Sequence, residues 1–110
     1  MYAESLRAFL GPIVPYMDEP SVTEIMINGH GQVFVERKGK MVLDPFTFEN
    51  NDQVRVLIDR MVEPTGRSIT TAAPFVDFRL PDGSRVNVIV PPVAVGGPSV
   101  TIRKFTRTLT

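Results

Sequence analysis

Three arginines carry the most suggestive chemistry in this chain. Arg79 lies in Val76-Asp77-Phe78-Arg79-Leu80, Arg85 opens Arg85-Val86-Asn87-Val88-Ile89-Val90, and Arg103 lies in Ser99-Val100-Thr101-Ile102-Arg103-Lys104-Phe105. Each segment alternates apolar and polar residues, the period of a half-buried strand. Val76, Phe78, Leu80, Val86, Val88, Val90, Val100 and Ile102 then share one face, and Asp77, Arg79, Arg85, Asn87, Thr101 and Arg103 the other. If the three strands are neighbours, three guanidinium groups stand on one sheet face, where the planar fork can hold a phosphate through two hydrogen bonds. The same alternation also fits an ordinary solvated face, stitched by cross-strand pairs worth about a few tenths of a kcal/mol.

Other reactive groups are sparse. Glu24 and Asn28 fall on one side of their strand, where they can anchor a loop, face a partner or simply be structural. His30, the only histidine, sits in Asn28-Gly29-His30-Gly31 between two strand-like runs, which reads as a turn. Catalysis by a histidine needs a second group to orient it, so His30 reads as a solvated turn residue. No G-x-x-x-x-G-K-[ST] run is present, so the chain lacks the glycine-rich loop that cradles nucleotide phosphates. With no cysteine there is no disulfide scaffold, zinc ribbon or thiol nucleophile, and no metal site is expected.

The elements that must position these residues are legible from periodicity. Leu6, Phe9, Leu10 and Ile13 recur at helical spacing, with Gly11-Pro12 expected to break or kink the helix and Asp18-Glu19-Pro20 to stop it. Val22–Ile27 and Val33–Glu36 flank Asn28-Gly29-His30-Gly31 as a hairpin. Arg37-Lys38-Gly39-Lys40 then turns into a short strand, Met41–Leu43, ended by Asp44-Pro45. Val54, Leu57, Ile58, Met61 and Val62 form the apolar stripe of a helix over 50–63. Asn50 is its cap, Gln53 stands in capping-box position, and Pro64 and Gly66 are expected to end it. Pro81-Asp82-Gly83-Ser84 is a turn between strands, Pro91-Pro92 halts the second of them, and 93–98 is a loop. The fold class is therefore α+β: an antiparallel sheet of about six strands with helices packed on one face.

At 110 residues this is one domain, and 43% apolar residues suffice for a modest core. Twelve basic and twelve acidic side chains cancel, which gives no general attraction to nucleic acid. Single-strand binding would need aromatics exposed among the arginines, for which Phe78 and Phe105 are available. The first residues lack a basic leader, and no stretch approaches about 18 uninterrupted apolar residues, so an intracellular, soluble chain is expected.

Read together, several segments resemble the amino-terminal domain of the type II/IV secretion-system ATPases, closest to the Flp or tight-adherence pilus assembly branch. They are Val22–Gly29, Val33–Lys40, Gly66–Ile69, Pro74–Pro92 and Gly97–Phe105, in the family's order and spacing. The resemblance implies a PAS-like sheet-and-helix module that forms one tier of a hexameric cytoplasmic motor, peripheral at the inner membrane and docked on platform proteins of a pilus or secretion system. A carboxy-terminal RecA-like ATPase domain, expected beyond residue 110, would carry the phosphate loop, ATP and Mg2+. The 1–110 segment by itself would bind no cofactor and contain no catalytic residue. The family's amino-terminal arginines approach that nucleotide, and the positions that fit here are Arg103, Arg85 and Arg79, with Lys104 and Arg67 as lesser candidates. The competing expectation is a stand-alone PAS-like sensory or protein-interaction module, which should show an apolar pocket with inward polar groups.

Overall fold

Alternating burial in five segments, a short exposed sixth and one period-3.6 stripe produce a single sheet with helices on one side. In the computed structural model, residues 10–91, 94 and 96–105 are described. Their strands are β1 (Val22–Asn28), β2 (Val33–Arg37), β3 (Lys40–Leu43), β4 (Phe75–Arg79), β5 (Arg85–Ile89) and β6 (Ser99–Arg103). All neighbours are antiparallel, in the order β3-β2-β1-β6-β5-β4. The last strand in the sequence therefore inserts beside the first and joins two three-stranded halves.

The helices are α1 (Val14–Asp18) and α2 (Asn51–Val62). Asn50 caps α2 by accepting from the Gln53 backbone N–H at 3.0 Å, while the Gln53 side chain accepts from the Glu49 N–H at 2.9 Å. That second bond falls one residue earlier than in the standard capping box. Val54, Leu57, Ile58, Met61 and Val62 are all buried against the sheet, as the stripe predicts. Ile25, Ile27, Val33, Val35, Val86, Val88, Val100 and Ile102 meet them from the strands. At about 1.5–3 kcal/mol for each fully buried side chain of this size, that layer is the main source of cohesion. Among the described residues Ser84 is the only polar side chain classed as buried, and no buried side-chain nitrogen or oxygen lacks a partner.

The prolines punctuate the helices where the sequence places breaks. Pro12 lies in the first turn of a 3-10 helix, Gly11–Ile13, and Pro15 in the first turn of α1. Leu10 is α-helical and Gly11 follows it at φ 52°, so the helix breaks at Gly11-Pro12, and the prolines occupy first turns beyond the break, which have no intrahelical use for the missing N–H. Pro64 likewise opens a 3-10 turn, Glu63–Thr65, that prolongs α2, and Gly66 stops it at φ 75°. Leu6, Phe9 and Pro92 lie outside the described residues.

The hairpins differ in detail. Asn28 pairs with Gln32, since its N–H donates to the Gln32 carbonyl at 2.8 Å, so Asn28 belongs to β1 and the loop is Gly29–Gly31, one residue shorter than the expected Asn28–Gly31. The tight turn is Lys38-Gly39, with φ of 53° and 81°. Positive φ at both central residues matches the right-handed twist of the flanking strands.

Candidate functional site

With helices covering one face, the other face of the sheet stays open, and cross-strand register decides what stands side by side on it. Arg79 is directly opposite Arg85, and Arg85 directly opposite Arg103. The row continues to Glu24 on β1 and Glu36 on β2. One pleat away runs a second row, Asp77, Asn87, Thr101, Met26 and Phe34. Three consecutive strands thus bring three guanidinium groups into one line.

Like charges directly opposite one another destabilise a sheet, by up to about 1 kcal/mol per pair. Here each arginine has a local counterweight. Arg85 approaches Asp77 (3.8 Å), Arg103 presents its Nε to Glu24 (3.6 Å), and Arg79 donates to the Gly83 carbonyl (3.3 Å). Glu24 is only 13% exposed, whereas Arg103 is 71% exposed. The acid is thus set into the sheet surface and pairs with the arginine through Nε, while the arginine side chain itself stays largely exposed. Within the row Glu24 and Glu36 leave one of the three guanidinium charges uncompensated, and Asp77 in the next row stands against it.

A shallow cavity of about 230 Å³ opens there, lined by Asp77, Arg85, Val86, Asn87, Thr101 and Arg103. It is smaller than the roughly 300–1,000 Å³ of sites that enclose a drug-sized ligand. The Asn87 amide and the Thr101 hydroxyl lie one pleat from Arg85 and Arg103, as neutral groups able to share an anion's oxygens. The arrangement suits an oxyanion such as a phosphate group.

The remaining candidates stand elsewhere. Lys104 points to the helix side of the sheet, where its ammonium donates to the carbonyls of Glu19 at 2.7 Å and Tyr16 at 3.1 Å, and burial pushes its pKa down. Arg67 donates to the Asp77 carbonyl at 2.6 Å and so covers the free edge of β4, the last strand of the sheet. Asn28 donates to the Gln32 side chain at 3.1 Å within the hairpin. His30 is exposed, and both its backbone N–H and its ring Nδ1 lie 3.0 Å from Asn51 Oδ1 at the start of α2. Of the two available aromatics, Phe78 is buried and Phe105 is exposed.

The pairing of Glu24 with Arg103 is the feature that sequence reasoning missed. Alternation put both residues on polar faces, but no local signal says that β1 and β6 are partners. Among the described residues no group of three His, Cys, Asp or Glu side chains could hold a metal ion, and no helix is long and apolar enough to cross a membrane.

A six-stranded antiparallel sheet with helices on one face and a cationic row on the other defines the class of domain. The chain belongs to the type II/IV secretion system protein family, whose profile matches residues 7–110. It is 32% identical over 111 residues to the type IV secretion system protein VirB11 of Brucella suis, covering 96% of this chain and 30% of that protein. It is 28% identical over 102 residues to protein VirB11 of Agrobacterium fabrum, covering 90% of this chain and 29% of that protein. Among solved structures, the Brucella suis VirB11 ATPase in complex with sulphate superimposes with a TM-score of 0.85 at 29% identity, over 96% of this chain and 33% of that one. The Legionella pneumophila ATPase DotB gives a TM-score of 0.56 at 16% identity over 87% of this chain and 28% of that one, a likeness of fold alone. The chain therefore spans about a third of these relatives.

Proposed function

We propose that this chain is the amino-terminal, ring-forming and coupling domain of a hexameric secretion ATPase of the Flp or tight-adherence pilus branch. In this reading it lends arginines to a nucleotide site completed by a carboxy-terminal RecA-like domain. The observation that carries the reading is the line Arg79, Arg85, Arg103 on the open sheet face. ATP and Mg2+ would be held by the phosphate loop of the other domain, since none occurs in these 110 residues. The arginines would offset negative charge developing on the transferring phosphoryl group. The motor would work at the cytoplasmic side of the inner membrane, on platform proteins of a pilus or secretion system.

The filled core speaks against the sensory alternative. A ligand-binding PAS-like module needs an interior pocket with inward polar groups, whereas the layer between sheet and helices is apolar and, among the described residues, Ser84 is its one buried polar side chain.

The test is made in the longer protein with its catalytic domain. Arginines in this role contribute about 10³–10⁵ in rate in well-studied nucleotide hydrolases. A ring motor with Mg2+ and a phosphate-loop lysine already in place should lose less. At least one of Arg103→Ala, Arg85→Ala and Arg79→Ala is expected to lower kcat about tenfold or more with the hexamer intact, in that order of preference. Arg→Lys should fail to restore the full rate, because a point charge lacks the two-pronged geometry. Parental rates in all three variants would reduce the row to ordinary sheet surface.

A further inference from the structure

β6 ends at Arg103, but the Lys104 N–H still donates to the Thr23 carbonyl at 2.9 Å, so the chain keeps an extended course beside β1, and the contacts of the Lys104 side chain fix its direction. Lys104 reaches the helix side, so Phe105 leaves on the open face with Arg103. The β5–β6 register, Arg85 opposite Arg103, places Phe105 opposite Gly83 when continued by two residues. The packing agrees. A Cβ added at Gly83 would stand 3.1 Å from Phe105 Cγ and 3.3 Å from its Cβ, so the aromatic side chain lies over the bare glycine. Gly83 itself has φ +94°, a conformation that glycine adopts without steric cost. The Phe105 N–H donates to the Ser84 hydroxyl at 3.3 Å, and Ser84 is 1% exposed. Phe105 is thus fixed from beneath by a buried turn and yet remains 58% exposed.

An exposed, backed aromatic ring one pleat from a cationic row is a combination with a defined use. Two residues of strand separate the Cα atoms of Phe105 and Arg103 by about 7 Å, comparable to the length over which a ribose spaces a base from its phosphates. Aromatic faces stack bases of any identity, and purines present the larger face. Phe75 is the contrasting case. It is also exposed, but Asp77 lies between it and Arg79 on β4, so an anion passing from the arginines to that ring would cross a carboxylate.

We propose that Phe105 is the platform on which the base of a purine nucleotide stacks while its phosphates lie along Arg103, Arg85 and Arg79. The proposal rests on the nucleotide reading of the arginine row, and it adds the residue that selects a nucleotide over a bare polyphosphate.

The test uses the 110-residue protein, titrated with inorganic tripolyphosphate, ATP and CTP, with NMR signals of the arginine Nε–H groups and of the Phe105 ring as readouts. ATP is expected to bind at least about fivefold more tightly than tripolyphosphate, the low end for one base on one aromatic ring, despite its smaller charge. CTP should fall between them, and the ring signals should move with ATP and not with tripolyphosphate. Phe105→Leu keeps apolar cover over Gly83 without a π face and should bring ATP down to the tripolyphosphate affinity; Phe105→Trp should restore the preference. If tripolyphosphate moves the arginine signals but ATP gains nothing, or Phe105→Leu changes nothing, the platform is disproved and the arginine row stands. If no anion moves the arginine signals even at millimolar concentration, the platform is disproved for this domain, and the kcat test in the longer protein alone decides the arginine row. Tighter binding of an oligodeoxyadenylate than of ATP would overturn the proposal in favour of single-strand binding.

Discussion

The ammonium of Lys104 donates to the backbone carbonyl of Glu19 at 2.7 Å, while the carboxylate of the same Glu19 receives two hydrogen bonds from Arg37, at 2.7 Å from Nε and 3.0 Å from Nη2. Ser21 adds a third bond to that carboxylate at 2.6 Å. Glu19 follows the last residue of α1, so one residue ties the helix end to β6 through its backbone and to β2 through its side chain. The orphan carbonyls of a helix terminus find their partner in a lysine, and a residue that sequence reading placed near a nucleotide acts here as a clamp.

That junction makes stability depend on acid. The Arg37 and Ser21 hydrogen bonds hold the Glu19 carboxyl at about 2, against an ordinary 4.5. A carboxyl whose folded pKa is depressed contributes stability that is fully present above its unfolded value and is lost as pH falls through the folded one. Urea midpoints of the parent and of Glu19→Gln should therefore differ at neutral pH and converge between pH 4.5 and about 2. A difference that stays constant through that window would show that the Arg37 pairing carries no linkage.

Leu57 lies on the buried stripe of α2, at 4% exposure in the apolar core. Leu57→Ala should lower unfolding free energy by about 2–5 kcal/mol, the range for truncating a core leucine. A loss below about 1 kcal/mol in urea melts would mean that the stripe packs against something other than this sheet.

Gly29 and Gly66 separate two costs that a glycine can hide. Both have left-handed φ, 67° and 75°, but a Cβ at Gly66 meets nothing within 4 Å, whereas one at Gly29 would stand 2.7 Å from the Gly96 carbonyl oxygen. Gly66→Ala should cost only the conformational penalty, about 1–2 kcal/mol. Gly29→Ala must also displace backbone, in a corner where the Gly29 N–H donates to the Pro98 carbonyl at 2.8 Å. Thermal or urea melts should show Gly29→Ala as the more damaging by about 1 kcal/mol or more. Equal losses would mean that the loop before β6 yields freely.

What the sequence determined by itself is what local periodicity controls. The alternation around Arg79, Arg85 and Arg103 assigned their faces correctly, because a strand's side chains must point to opposite sides whatever its neighbours are. The stripe from Val54 to Val62 and the Asn50 cap were equally legible, since helix spacing and capping involve residues three or four apart. Tertiary structure alone decided the rest. The insertion of β6 between β1 and β5 put Glu24 beside Arg103, a pairing across about 80 residues that no local pattern encodes. The same insertion turned Lys104 under the sheet to the end of α1 and laid Phe105 over Gly83. Arg67 likewise became the cover of an edge carbonyl. Charge and size suggested the chemistry these side chains were capable of, but which backbone they reached depended on strand order. That order is fixed only when the apolar faces of β1, β2, β4, β5 and β6 are buried together under one layer of helices, with the wholly exposed β3 paired at the edge.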